Sequence, residues 1–304
     1  MKKYWYKYFV YISLLFLALA LYHADYLKVP IVLSFPSLVT SLFFLFMGFM
    51  NSALSWKEIL KKSDYQVRLR ECLAGTGLSI FGKYIPGKVW IIVGRAAYVS
   101  ETGHYSLGRL SAISLNAQFI DLWAGLILGT IGLFILGSFH WFSWVILCML
   151  LGLTMIIFTE RIHNTSEYLL NAILRKEIKI PRLTIKATLA VIPWFVLSWF
   201  FWSLGFYALF LSLCSINVKW SIGLGFPLAG SLGIMAIITP GGLVAREGVM
   251  VGFLNLAGIP VVEATTIAVA SRLWFLAGEV FIFIVGLIVH RRSSNSLNEV
   301  GYER

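Results

Sequence analysis

The stretch Gly82-Lys-Tyr-Ile-Pro-Gly-Lys-Val-Trp-Ile-Ile-Val-Gly-Arg95 places three cations and a Pro-Gly pair inside an otherwise apolar region. Proline lacks a backbone donor and clashes with the preceding turn, so an α-helix ends or kinks here. The apolar arms before and after the break have about ten and about twelve residues, which gives each a length of roughly 15 to 18 Å. A helix needs about 30 Å to cross the hydrocarbon of a bilayer. The stretch therefore predicts a hairpin that enters a membrane, turns near its middle and returns.

The composition of the whole chain agrees with a membrane setting. Of the 304 residues 59% are hydrophobic and 13% are charged, and the mean hydropathy is +0.83. These values exclude an ordinary soluble domain. The formal charge of +11 comes from Lys and Arg at the ends of apolar runs, a pattern typical of cytoplasmic loops, so we expect no nucleic-acid partner. Cys72, Cys148 and Cys214 lie in apolar context and are expected to be buried.

Basic segments predict the orientation of the chain. Lysine and arginine cluster before residue 9, within 57–71, within 160–186 and after residue 289. Because such clusters stay on the cytoplasmic side, we expect both termini in the cytoplasm and the protein in the inner (cytoplasmic) membrane. The first apolar run also fits a signal peptide ending near residue 24, but aromatic residues at both of its edges favour a retained span. The apolar runs predict about six full spans, at residues 9–26, 36–56, 110–136, 141–158, 188–213 and 265–289.

Two segments remain outside these spans. Residues 72–108 must begin and end in the cytoplasm, whereas residues 221–259, broken at Thr239-Pro-Gly-Gly242, must begin and end outside. We predict a single all-α polytopic transmembrane domain over residues 1–304, in which these two segments are re-entrant broken-helix hairpins. Further predictions are a basic cytoplasmic loop with a surface helix at 160–186 and a cytoplasmic tail at 290–304.

The two breaks have a similar pattern. Each is a Pro-Gly pair followed within about ten residues by an arginine, Arg95 in the first and Arg246 in the second. Because the two hairpins are expected to enter from opposite faces, this similarity is consistent with an inverted repeat, in which broken helices lie beside a transporter's site. The alternative is that Pro-Gly only kinks a continuous helix.

Charged residues at membrane depth are the main indication of a site. The expected topology puts eight of them there: Lys83, Lys88, Arg95, Asp121, Arg246, Glu247, Arg272 and Glu279. Because a charge facing lipid costs about 3 kcal/mol, they should face each other or a wet cavity. Five cations and three acids leave two positive charges in excess, which indicates an anionic ligand such as phosphate. A set of structural ion pairs is the alternative.

The hairpin tips contribute further candidates. Half-helices that start after Pro86-Gly87 and after Pro240-Gly241-Gly242 would direct backbone N–H groups and positive dipole ends at an anion. The predicted substrate-binding residues are therefore Lys83, Pro86, Gly87, Lys88, Arg95, Gln118, Asp121, Pro240, Gly241, Gly242, Arg246, Glu247, Arg272 and Glu279.

Two pairs of these residues are predicted to lie on the same face of a long helix. Gln118 and Asp121 share one helix face, as do Arg272 and Glu279, which are two turns apart. We expect the acids Asp121 and Glu279 to pair with arginines, the candidates being Arg95, Arg246 and Arg272. The series Gly125, Gly129 and Gly132 on the Asp121 helix predicts close packing against a neighbouring helix.

No catalytic motif accompanies these residues. The sequence has no DxD, HxxxxD, GxSxG, HExxH or P-loop pattern, and its five histidines are scattered without metal-ligand spacing. We therefore expect no enzymatic activity, no cofactor and no metal.

Three motifs resemble a known family. They are Gly82-Lys-Tyr-Ile-Pro-Gly-Lys-Val-Trp90 with Gly94-Arg95, the helix with Gln118 and Asp121, and Thr239-Pro-Gly-Gly-Leu-Val-Ala-Arg-Glu-Gly248. Together they resemble the membrane region of the lysylphosphatidylglycerol synthase (multiple peptide resistance factor) family. Where the family often has Gly-Leu-Gly-Val-Arg-Glu, the third motif has Gly-Leu-Val-Ala-Arg-Glu and so lacks one glycine. The resemblance implies a flippase that moves aminoacylated phosphatidylglycerol to the outer leaflet.

Full-length members of that family add an aminoacyltransferase domain after the membrane region. The chain ends soon after its last predicted span, so we expect a stand-alone form that does not synthesise lysyl lipid. The expected function is translocation of an anionic or aminoacylated phospholipid, or of a lipid-linked headgroup. Expected partners are membrane lipids, chiefly anionic phospholipid, and a separate lipid-modifying enzyme or glycosyltransferase. The alternatives are a polytopic lipid-headgroup-modifying enzyme, a glycosyltransferase accessory subunit and an ion-coupled small-solute transporter.

Overall fold

The computed structural model describes residues 31–85, 89–137, 141–159, 183–235 and 245–302, with side chains up to residue 292. Within these ranges the protein is all-α, as predicted, with short 3-10 turns at Ile80–Tyr84 and Trp220–Leu224. The nine described helices are α1 (Phe35–Lys62), α2 (Leu69–Ser79), α3 (Trp90–Gly103), α4 (Leu107–Ile135), α5 (Trp141–Phe158), α6 (Ile185–Leu213), α7 (Gly225–Met235), α8 (Ala245–Leu256) and α9 (Val261–Tyr302).

Five of these helices, α1, α4, α5, α6 and α9, are long and apolar enough to cross a membrane. They coincide with five of the predicted spans, and the sixth, residues 9–26, lies outside the described residues. Many large apolar side chains along them, such as Phe35, Trp141 and Ile284, are exposed on the surface of the protein. Such a surface suits lipid and not water, which confirms a polytopic membrane protein.

Local sequence explains where the long helices begin and end. Ser34 caps α1 by accepting a hydrogen bond from the Ser37 N–H at 3.4 Å, and Pro36 stands in the first turn, where no intrahelical N–H bond is lost. Thr184 caps α6 in the same way. The last turn of α1 carries Lys61 and Lys62, which complement the negative end of the helix dipole.

Each predicted hairpin segment contains two short helices. α2 and α3 have 11 and 14 residues, and α7 and α8 have 11 and 12, so each is only roughly 17 to 21 Å long. The first arm leaves α-helical geometry at Ile80, earlier than the predicted break at Gly82, because its last turn tightens into the 3-10 form. The tips, residues 86–88 and 236–244, lie outside the described residues. The membrane face from which each hairpin enters stays a prediction.

The longest helix contact joins α1 and α6. The Leu33 N–H donates to the Ser212 carbonyl at 2.8 Å at one end of this contact. Further along, the Asn51 amide donates to the Trp194 carbonyl at 2.7 Å. Moving forward along α1 therefore means moving backward along α6, so the two helices are antiparallel. Gly205 allows the close approach, because a Cβ there would lie 3.1 Å from the backbone of α1.

The packing of α1–α4 is repeated by α6–α9. α2 packs on α9, and correspondingly α7 packs on α4; α3 packs on α4, and α8 packs on α9. The contacts of α1 with α9 and of α6 with α4 are also counterparts. Because α1 and α6 are antiparallel, the two halves are related by an inversion of direction, as an inverted repeat requires. α5 lies outside this pattern and packs chiefly on α4.

Glycines bring the short helices into backbone contact with the long ones. On α4, a Cβ at Gly129 would lie 2.6 Å from Leu228 of α7, so the predicted packing role of this glycine series is confirmed. On α9, Gly286 faces Gly77 of α2, where a Cβ would lie 2.9 Å from the Gly286 Cα. Each first hairpin arm is therefore seated on the long helix of the other half.

Three predictions from the sequence are corrected or left untested by the structure. Cys72 is buried, but Cys214 is half-buried and Cys148 is exposed. The expectation of burial fails at Cys148 because α5 buries only a narrow stripe of side chains. The predicted surface helix within 160–186 lies outside the described residues, which resume at residue 183. Residues 290–304, predicted as a tail, continue α9 as far as Tyr302.

Candidate functional site

The charged residues of the predicted site that the structure describes form two groups. The first, called here the central cluster, lies where the hairpins meet α9 and consists of Lys83, Tyr84, Arg246, Glu247, Arg272 and Glu279. The second, the α3–α4 cluster, consists of Arg95, Ser114, Gln118 and Asp121. The structure therefore divides the predicted site residues between two places.

Glu279 connects the first hairpin to α9. Its carboxylate accepts hydrogen bonds from the Lys83 ammonium and, at 2.8 Å, from the Tyr84 hydroxyl. The Glu279 side chain is 2% exposed and that of Lys83 is 24% exposed. The hydrogen-bond partners of Glu279 are Lys83 and Tyr84, which the 3-10 turn at the end of the first arm brings against α9. Arg246, one of the arginines expected to pair with it, lies within electrostatic reach of the same carboxylate. Tyr84 was missed, although it directly follows Lys83 in the sequence.

Arg272 connects α9 to the second hairpin. Its Nη1 lies 3.4 Å from Oε1 of Glu247 on α8, and both side chains are largely buried, at 8% and 16% exposure. Arg272 and Glu279 occur on one side of α9 as predicted, yet each is paired with a different hairpin.

Arg246 is held differently from the other two cations of the cluster. Its guanidinium carbon lies 4.8 Å from the ring centroid of Phe226 and 5.0 Å from that of Phe275. The residue is 9% exposed, and its Nη2 is buried without a hydrogen-bond partner in the part of the chain that the structure describes. Sequence reasoning missed both rings, although Phe275 lies three residues after Arg272 and four before Glu279 on the same helix.

The charges of the central cluster do not balance. Lys83, Arg246 and Arg272 face two acids, Glu247 and Glu279, so this group has one positive charge in excess. A buried excess charge is costly unless a counter-ion or a polar ligand is present. The cluster can therefore accept one anionic group, and the buried Nη2 of Arg246 offers a donor for it.

The α3–α4 cluster is closer to balance. Arg95 donates from Nε to the Ser114 hydroxyl at 2.6 Å and from Nη2 to the Ser114 carbonyl at 2.8 Å. Its guanidinium carbon also lies 4.6 Å from the ring centroid of Trp56. Asp121 supplies the main negative charge near Arg95, and Gln118 donates to that carboxylate across a long 3.5 Å contact. Arg95 and Asp121 therefore offset each other.

Six predicted site residues belong to the hairpin tips and lie outside the described residues: Pro86, Gly87, Lys88, Pro240, Gly241 and Gly242. Their binding roles stay predictions. The helices that follow are consistent with the expected half-helix starts: α3 begins at Trp90 without a side-chain cap, and α8 is described from Ala245.

The chain resembles a known protein family over most of its length. The family model described as the lysylphosphatidylglycerol synthase TM region matches residues 5–286, a range that includes both hairpins and both clusters. No curated protein and no solved structure matches the chain significantly.

Proposed function

Because the chain belongs to the family of lysylphosphatidylglycerol synthase transmembrane regions, which supports a role connected with membrane lipids, we propose that it is a lipid translocator. It would move an anionic or aminoacylated phospholipid, or a lipid-linked headgroup, between the two leaflets. The headgroup would be made by a separate lipid-modifying enzyme or glycosyltransferase. The proposal places the protein in the cytoplasmic membrane with both termini inside.

The observation that carries the proposal is the state of Arg246. Its guanidinium is almost completely buried, carries an unused donor within the described chain, and belongs to a cluster with one excess positive charge. A phosphate of a lipid headgroup would supply the missing counter-charge and accept the free N–H. A structural ion-pair network would be expected to balance its charges instead.

The surrounding fold supports a path for a headgroup. A headgroup charge that moves through hydrocarbon alone meets a barrier of several kcal/mol or more. The central cluster lies between two hairpins that are too short to span the bilayer, and polar groups at that depth replace part of the lost hydration. Meanwhile the acyl chains can remain in the lipid next to the apolar outer surface.

A reconstituted translocation assay tests this proposal. Purified full-length protein is placed in liposomes that contain fluorescent phosphatidylglycerol in both leaflets, and a membrane-impermeant quencher is added. We expect the quenched fraction to rise well above that of empty liposomes with the wild-type protein. For Arg246→Ala we expect at least a tenfold lower rate, because a charge-assisted hydrogen bond contributes about 1.5 to 3 kcal/mol.

The matched control is Arg291→Ala, at an exposed position of α9, which should retain the wild-type rate. Lysyl-phosphatidylglycerol is the second lipid to use, since the family match leaves the headgroup open. If the wild type matches empty liposomes for both lipids, or if Arg246→Ala translocates like Arg291→Ala, the proposal is wrong.

A further inference from the structure

The central cluster stabilises its buried cations in two ways. Lys83 and Arg272 each have a carboxylate partner, on Glu279 and Glu247 respectively. Arg246 instead lies against two aromatic rings, those of Phe226 and Phe275. The Phe275 ring also has the Lys83 ammonium at 5.0 Å from its centroid.

The two kinds of partner have different consequences for a ligand. A carboxylate cancels the charge of a cation and competes with an incoming anion for the same N–H groups. The face of an aromatic ring attracts a cation through its quadrupole but carries no net charge and accepts no strong hydrogen bond. A cation on a ring is therefore fixed in place while its charge and its donors remain available.

We propose that Phe275, together with Phe226, is a positioning residue that holds Arg246 charged and oriented toward the phosphate of a lipid headgroup. The proposal rests on the proposed function and adds to it a residue that orients the ligand-binding cation without touching the ligand. Because the ring of Phe275 serves Lys83 as well, it fixes two cations, one from each hairpin.

The Phe275 ring is itself held by other rings. Its centroid lies 4.9 Å from that of Phe49 and 5.3 Å from those of Trp202 and Phe226. These residues come from α1, α6 and α7, so the ring has little freedom to turn away. Rigid support is what pre-organised binding groups require.

An arginine–ring contact also occurs in the other half of the protein, where Arg95, on the second arm of the first hairpin, lies over the face of Trp56. There, however, the guanidinium donates twice to Ser114 and Asp121 offsets its charge. The ring contact is thus common to both hairpin arginines, whereas the buried donor without a partner in the described chain belongs to Arg246.

Fluorination of Phe275 separates the electrostatic role of the ring from its packing role. Fluorine atoms withdraw electron density from the ring face while changing its shape little. We would incorporate mono-, di- and trifluorophenylalanine at position 275 of the full chain and measure binding of short-chain dihexanoyl-phosphatidylglycerol to the detergent-solubilised protein. We expect affinity to fall step by step, to about tenfold weaker with the trifluoro ring. Phe275→Leu, which removes the ring, should be as weak as the trifluoro protein.

The matched control is the same series at Phe281 of α9. Its ring stacks on Phe46 with centroids 4.2 Å apart, and no cation lies over it in the described part of the chain. Fluorination there should leave affinity unchanged. Inorganic phosphate, used as a second probe, should bind at least tenfold more weakly than the lipid, and equal affinity would contradict a lipid headgroup as the ligand.

The outcomes distinguish this inference from the proposed function. If Arg246→Ala abolishes lipid binding but fluorination of Phe275 leaves the affinity for lipid unchanged, the positioning role is wrong and the proposed function stands. If Arg246→Ala binds lipid like the wild type, the proposed function is wrong, and the positioning role, which rests on it, is wrong as well. Should Phe275→Leu fail to fold, the fluorinated proteins still test the positioning role, because their ring shape is almost unchanged.

Discussion

The substitution Glu279→Gln should destabilise the protein by leaving Lys83 without its counter-charge. The change keeps the size of the side chain and lets the amide oxygen still accept the bond from Tyr84. Removing one partner of a buried ion pair costs about 3 to 5 kcal/mol. Lys83 retains 24% exposure and can recover some hydration, so we expect the lower end of that range, about 3 kcal/mol.

Thermal denaturation in detergent, followed by tryptophan fluorescence, measures this effect. With a shift of about 2 °C or more per kcal/mol for large domains, the midpoint for Glu279→Gln should fall by about 6 °C. The control is Glu263→Gln on the same helix, whose side chain is exposed. Its midpoint should move by about 1 °C or less, since a surface substitution changes stability by only about 0.5 kcal/mol.

A double-mutant cycle separates the ion pair from other effects of the substitution. Lys83→Met combined with Glu279→Gln removes both charges, so the double variant should lose less stability than the sum of the two single variants, with a coupling energy of about 2 kcal/mol. The reasoning is refuted if Glu279→Gln melts with the wild type. It is equally refuted if the double variant is as unstable as the sum of the two single variants.

Two further predictions concern helix packing. Gly77→Ala should cost about 1 to 3 kcal/mol of stability in the same melting assay, because the added Cβ would meet the backbone of α9. The control Gly152→Ala, whose Cβ would have nothing within 4 Å, should be neutral or slightly stabilising. Equal effects of the two substitutions would contradict the packing of Gly77 on α9. In a chain whose native cysteines are replaced, cysteines at Leu33 and Ser212 should form a disulfide on mild oxidation, because their backbones are hydrogen-bonded. A pair at Leu33 and Leu189, at opposite ends of the α1–α6 contact, should remain reduced, and the reverse result would exclude antiparallel packing.

The five described spans were predictable because hydropathy, a one-dimensional property of the sequence, sets the length of a crossing. Their direction, predicted from Lys and Arg, stays a prediction. The Pro-Gly pairs then exclude a straight helix at two places. The geometry inside the first arm was not predictable, because the 3-10 turn at Ile80–Tyr84 results from its packing against α9 and not from a turn motif in the sequence.

The burial of charged residues was predictable from the sequence, but their partners were not. A charge in the membrane is costly when it faces lipid, so membrane depth alone predicted that Arg246 and Glu279 are buried. Which of these side chains become partners depends on the rotation and register of each helix, and the spacing of residues in the sequence determines neither. The rings beneath Arg246 were missed for a related reason: in a chain that is 15% aromatic, a phenylalanine on an apolar helix gives no separate signal.

The position of α5 outside the repeated packing affects the direction in which the second half of the chain crosses the membrane. Each half contains two helices long and apolar enough to cross a membrane. With re-entrant hairpins, as the sequence predicts, the number of crossings in each half is even and the chain returns to the side from which it started. Joined directly, two such halves would point the same way, and α6 would run parallel to α1. One intervening crossing makes the count odd and turns the second half over. α5, which buries few side chains, would therefore contribute by making the number of crossings from the start of α1 to the start of α6 odd.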